Sequence, residues 1–207
     1  MKAVLLVQLG TPDKPEKADV KRYLKEFLND PRVIDFPTLK RTILVNGIII
    51  PARLNNSTEI YKKVFTDKGS PLLFHTAELA KKLQKEMGSE YLVKFAMRYQ
   101  NPSVTGVLAE LEKMALEELI VVPLYPQYAS SSTGSTAQKV LEIVSKWETI
   151  PNVRFVNKFF ENEGYLNCVA EQGSKHDWKS YDKVVFSFHG LPERHIAKGC
   201  KVANCKA

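Results

Sequence analysis

Short apolar runs rich in β-branched residues alternate along this chain with stretches of helical periodicity. Residues 4–9, 91–97, 119–124 and 153–160 read as strands. Between them apolar residues recur at helical spacing: Val20, Tyr23, Leu24, Phe27 and Leu28; Leu79, Ala80, Leu83 and Met87; Val104, Val107, Leu108 and Leu111; Val140, Leu141, Val144 and Trp147. A helix over roughly 164–175 and a strand at 184–188 close the series. A helix between two strands carries the chain back across the sheet, so the strands run parallel and helices cover both faces. The expected fold class is therefore α/β, with Rossmann-like parallel sheets. Segment 36–56 lacks a clean period and is expected to be irregular; it holds the longest apolar patch, 42–50, broken by Asn46 and Gly47.

Three strand ends share one design, an apolar run followed by a turn rich in Gly, Pro, hydroxyl or aromatic residues. They are Gln8-Leu9-Gly10-Thr11-Pro12, Tyr125 to Ser132, and Phe188 to Pro192. The first and third share the order x-Gly-x-Pro, which points to two similar α/β halves dividing near residues 125–135.

Motif chemistry excludes several classes. Gly10 stands alone with Pro12 after it, so the dinucleotide fingerprint is missing, as are the P-loop and the Gly-x-Ser-x-Gly elbow. The net charge of +7 comes from scattered Lys and Arg, read as solvated helix faces rather than a nucleic-acid surface. Three cysteines and no signal peptide lead us to expect a cytoplasmic protein. No run reaches the ~18 apolar residues of a membrane span.

His189 follows the run Val184 to Phe188 and precedes Gly190 and Pro192, which places it at a strand's carboxyl edge, where open α/β sheets bind ligands. An imidazole there suits proton or metal chemistry. Leu9, Tyr61, Tyr99, Tyr125 and Tyr128 offer an apolar and aromatic lining, Arg98 a cation, and Ser130 to Thr133 hydroxyls at a helix start. Each has a plainer reading as packing, ion pairing or capping. Together they suit a large flat apolar ligand with acidic side groups.

These residues carry a family resemblance. Val4 to Pro12, Tyr61 with Gly69-Ser70-Pro71-Leu72, Arg98-Tyr99, Tyr125-Pro126-Gln127-Tyr128-Ala129-Ser130 with Thr133-Gly134-Ser135, and Ser187-Phe188-His189-Gly190-Leu191-Pro192 occur in order. The chain resembles ferrochelatases, which insert ferrous iron into a porphyrin in haem synthesis. The resemblance implies two chelatase-like α/β domains, 1–128 and the first part of a second, 129–207, incomplete here. It implies porphyrin binding by Leu9, Tyr61, Ser70, Arg98, Tyr99, Tyr128 and Ser130, with Arg98 and the Ser130 region toward the propionates. His189 is implied as the catalytic group and the Fe2+ site.

Fe2+ is a substrate, and no cofactor is required within this chain. The family's downstream glutamate segment does not occur in it. Some bacterial members hold a [2Fe–2S] cluster with four ligands. Cys200 and Cys205 are either two such ligands or two plain thiols, and Cys168 reads as a core residue. The resemblance also implies porphyrin and ferrous iron as partners, no nucleic acid, and peripheral membrane contact through 42–50. The substrate implied is protoporphyrin IX. Two alternatives stand beside it: a chelatase for another metal or tetrapyrrole, and a non-catalytic porphyrin- or haem-binding fragment.

Overall fold

The computed structural model describes residues 1–195. They form two compact units, Met1–Asn157 and a second that begins at Lys158. The first is a four-stranded parallel sheet of β1 (Lys2–Gly10), β2 (Tyr91–Tyr99), β3 (Glu118–Pro123) and β4 (Asn152–Phe155). Strand order is β2-β1-β3-β4. Around it lie α1 (Lys17–Leu28), α2 (Thr38–Ile43), α3 (Ile50–Val64), α4 (Pro71–Met87), α5 (Val104–Glu112) and α6 (Ser135–Val144), with π-helical stretches at Leu44–Ile49 and Ser130–Gly134.

The two-residue alternation of a strand builds the layers. Ala3, Leu5 and Val7 of β1 face Val104, Val107, Leu108 and Leu111 of α5 and Val140 and Val144 of α6. Val4 and Leu6 face the other way, with Val93, Ile120 and Ala80 of α4. All five β1 side chains are buried. Each Val or Leu among them contributes roughly 1.5–3 kcal/mol by burial, which makes β1 the anchor of the unit.

A third apolar cluster, Val20, Tyr23, Leu24, Val45, Ile50, Leu54 and Tyr99, joins α1 and α3 to the end of β2. Segment 36–56, expected to be irregular, is instead helical throughout its central part, with Pro51 at the start of α3 directly after the π-helical stretch Leu44–Ile49 that leads into it without a break. Helix α6 and β4 belong to the first unit because β4 pairs with β3, so this unit extends well past residue 128. The fourth strand is also shorter than the expected 153–160.

The second unit contains α7 (Glu163–Ser174), whose first turn is capped by the Asn162 side chain accepting from the Tyr165 N–H, and a short turn at Trp178–Ser180. The expected strand at 184–188 is absent: these residues take no regular structure, and Val185 and Phe188 are each 84% exposed. A parallel strand draws its hydrogen bonds from neighbours, and this unit contains no other strand among the described residues. Cys168, expected in a core, is exposed on α7.

Candidate functional site

The order β2-β1-β3-β4 reverses direction at β1, so the crevice outside the carboxyl ends of β1 and β3 is the topological switch point where doubly wound sheets bind ligands. Leu9 and Gly10 end β1, Arg98 and Tyr99 end β2, and the 124–136 loop leaves β3. Gly10 pairs in register with Tyr99. Its φ is +113°, and a Cβ there would lie 2.0 Å from the Tyr99 carbonyl oxygen. Only glycine meets both demands.

Asp30, just beyond the end of α1, is the polar centre of the site. Its Oδ2 accepts from Arg98 Nη2 at 2.6 Å, Tyr99 OH at 2.9 Å and Ser135 Oγ at 2.5 Å. Its Oδ1 accepts from the Arg32 N–H at 2.7 Å. The carboxylate is buried, and the Arg98 side chain is only 14% exposed. Arg98 Nε donates to Ser135 Oγ at 2.8 Å, and the guanidinium lies 4.5 Å over the Tyr99 ring. The Nε–Nη2 edge, the one that forks a carboxylate, is thus already engaged. Arg32 in turn donates to Ser130 Oγ at 3.0 Å through Nη1. Both Arg32 Nη1 and Tyr128 OH stand 3.1 Å from where a Gly134 Cβ would be. The side chains of Arg98, Tyr99 and Ser135 and the Arg32 backbone N–H are therefore held by one carboxylate, and the Arg32 side chain in turn holds Ser130.

An aromatic wall adjoins this clamp. Tyr23 and Phe27 stack at 5.9 Å, Phe27 meets Tyr99 edge-on at 5.2 Å, and Tyr23 meets Tyr61 edge-on at 5.9 Å. Leu9 and Tyr61 pack against the same cluster. Burial pushes the phenols of Tyr23, Tyr99 and Tyr125 well above the ordinary tyrosine range, so the wall stays neutral. Among the described residues the buried hydroxyls of Tyr125, Thr133 and Thr136 have no well-formed hydrogen bond, around a π-helical stretch of the kind that recurs at functional sites.

The structure brings together Leu9, Tyr61 and Tyr99 in one cluster, and Arg98 and Tyr99 around Asp30, while Ser130 is held by the Arg32 side chain. Tyr128 is 53% exposed at the rim. Ser70 is buried at the N-cap of α4, and no hydrogen bond joins its side chain to the others among the described residues. His189 lies in the second unit, exposed, with Nδ1 2.8 Å from the Gly190 carbonyl oxygen. Cys200 and Cys205 lie outside the described residues. Sequence reasoning missed Asp30: its side-chain partners Arg98, Tyr99 and Ser135 are 68 to 105 residues away, and no local spacing announces them.

Fold and site define the class: an α/β protein with a neutral aromatic cluster and a buried Asp–Arg clamp beside the switch point of a parallel sheet. The ferrochelatase family model matches residues 1–206. The chain is 44% identical over 200 residues to a ferrochelatase of Legionella pneumophila (strain Paris), covering 96% of this chain and 60% of that relative. It is 40% identical to a ferrochelatase of Idiomarina loihiensis, covering 95% of this chain and 56% of the relative. It is 41% identical to "Ferrochelatase 2" of Shewanella oneidensis, covering 95% and 62%. The chain belongs to the ferrochelatase family. It spans about 60% of the length of the curated relatives it matches.

Proposed function

We propose that this chain supplies the porphyrin-binding crevice and the catalytic histidine of a ferrochelatase that inserts Fe2+ into protoporphyrin IX. The observation that carries the reading is the meeting of Leu9, Tyr61 and Tyr99 in one apolar cluster beside the carboxyl ends of β1 and β2. A neutral wall of this kind takes the face of a macrocycle without desolvating charge. Insertion of Fe2+ releases two pyrrole N–H protons. In this reading the His189 imidazole accepts a proton, offers a nitrogen to the incoming ferrous ion, or does both.

Arg98, its forking edge held by Asp30 and Ser135, stiffens the wall and presents Nη1 to a substrate carboxylate, beside Ser130 and Tyr128. Ser70 belongs to the same binding set. A second α/β half begins in the second unit, and the run at 184–188 becomes a strand once neighbouring strands are supplied. Cys200 and Cys205 are candidate ligands of a [2Fe–2S] cluster in a longer protein; such a cluster takes four ligands, of which these would be two.

We place the protein in the cytoplasm with peripheral membrane contact. Phe36, Leu39, Ile43 and Ile48 are each more than half exposed around the 42–50 patch. Among the described residues no helix is long and apolar enough to cross a membrane.

The experiment is a Soret titration of the 207-residue chain with protoporphyrin IX. Saturable binding, weakened about tenfold or more by Leu9→Asp, is expected, since a buried charge on that wall costs several kcal/mol. An unaltered Soret band through the titration would remove the porphyrin reading.

A further inference from the structure

The chain leaves β2 through a residue held in an unfavourable backbone conformation. Gln100 has a φ of +68°. Among the described residues the other non-glycine residue with a left-handed backbone, Ala115, lies in the connection from α5 to β3. A Cβ makes this conformation costly, and it persists only where the surroundings hold it. Glutamine also lacks the short local hydrogen bond that lets Asn and Asp tolerate it.

Helix α1 supplies the hold. Glu26 Oε2 accepts from the Gln100 backbone N–H at 3.0 Å and from the Gln100 side-chain amide. Arg22, one turn earlier on the same face, donates from Nε to the Gln100 side-chain oxygen at 3.1 Å. Both ends of the amide are gripped, and Gln100 is buried although Arg22 and Glu26 are exposed.

The grip falls on the peptide that joins Tyr99 to Gln100. Glu26 binds its N–H, and its carbonyl oxygen lies so close to Gly10 that a Cβ there would stand 2.0 Å away. The plane of this peptide is therefore fixed from both sides. Phe27, the next residue of α1, meets the Tyr99 ring edge-on at 5.2 Å. Two adjacent residues of α1 thus hold Tyr99, one through the backbone that follows it and one through its ring. Arg98 precedes Tyr99 on the same strand end, so the hold reaches the whole Arg98-Tyr99 pair.

We propose that Glu26 is a positioning residue for porphyrin binding: it keeps Gln100 left-handed and so aligns Arg98 and Tyr99 with the aromatic residues of α1. The role rests on the porphyrin reading above. It is tested by Soret titration of the 207-residue chain and its variants with protoporphyrin IX, well below their unfolding midpoints. Glu26→Ala should weaken binding about tenfold, the value of one hydrogen bond to a charged group. Glu26→Gln keeps an oxygen for the Gln100 N–H and should bind within about threefold of the unsubstituted chain. Adding Gln100→Gly to Glu26→Ala should recover most of the loss, because glycine takes a positive φ without an anchor. Charge alone predicts the opposite sign, since removing a carboxylate favours an anionic substrate. A purely structural role would lower the unfolding midpoint and leave the affinity of the folded chain unchanged. If the unsubstituted chain leaves the Soret band unaltered, the porphyrin reading falls and this role falls with it. If the unsubstituted chain binds, the role alone is overturned by Glu26→Ala binding as tightly, or by Gln100→Gly giving no recovery.

Discussion

Removing the charge of Asp30 leaves the Arg98 guanidinium buried without its counterion, while three other donors lose part of their acceptor. Asp30→Asn should destabilise the first unit by about 3–5 kcal/mol in urea unfolding. Asp30→Asn combined with Arg98→Met should cost clearly less than the sum of the single changes, because the stranded charge is gone. Additive costs would mean that the pair is not coupled. The tyrosines separate hydroxyls by their partners. Tyr99→Phe loses a bond to a buried carboxylate and should cost about 1.5–3 kcal/mol. Tyr125→Phe removes a buried hydroxyl that interacts only weakly, with the Thr136 hydroxyl, and should cost clearly less than Tyr99→Phe.

The same phenols set a pH dependence. Tyr23, Tyr99 and Tyr125 all have folded-state values raised by burial, so the unfolded chain deprotonates first. Their stabilisation is complete below the unfolded value of about 10 and is lost as pH rises above it. Unfolding followed against pH should show stability flat to about pH 9.5 and falling beyond it, with a shallower fall in Tyr125→Phe.

At the scale of elements, the edge where β1 meets β2 tolerates no side chain at position 10. Gly10→Ala combines a strained φ with a clash against the Tyr99 carbonyl and should cost about 3 kcal/mol or more, read as a shifted unfolding midpoint. This glycine was legible as a turn residue. That it lies against β2 was not, since the pairing partner is a distant strand. The parallel order itself was legible, because helical periods between β-rich runs leave few other solutions. Segment 42–50 was not, because its apolar residues come in consecutive runs, on either side of Asn46 and Gly47, that carry no helical period, and several of them stay exposed although the segment is helical. The run at 184–188 has a strand's composition and no strand's partners. Hydrogen exchange should find its amides unprotected in the 207-residue chain. They should become protected when the chain is extended with the segment that follows the matched region in the Legionella pneumophila relative. Exchange that stays fast in the extended chain would count against a strand there.

At the scale of the whole molecule, the site reading joins two features drawn from different units, a crevice in the first and His189 in the second. Sequence resemblance named His189, and its role rests on that resemblance and on family membership. The aromatic cluster and the Asp30 clamp rest on geometry. The two therefore fail separately: the 207-residue chain should bind porphyrin without metallating it, and the extended chain should do both. The measurement that tests the account most directly is the initial rate of Fe2+ insertion into protoporphyrin IX by the extended chain, with and without His189→Ala, alongside porphyrin affinity. A rate lowered by about 10²–10⁴, the span of a lost acid–base group, is expected, with porphyrin affinity within about threefold. A His189→Ala chain that still inserts iron at the unsubstituted rate would contradict it.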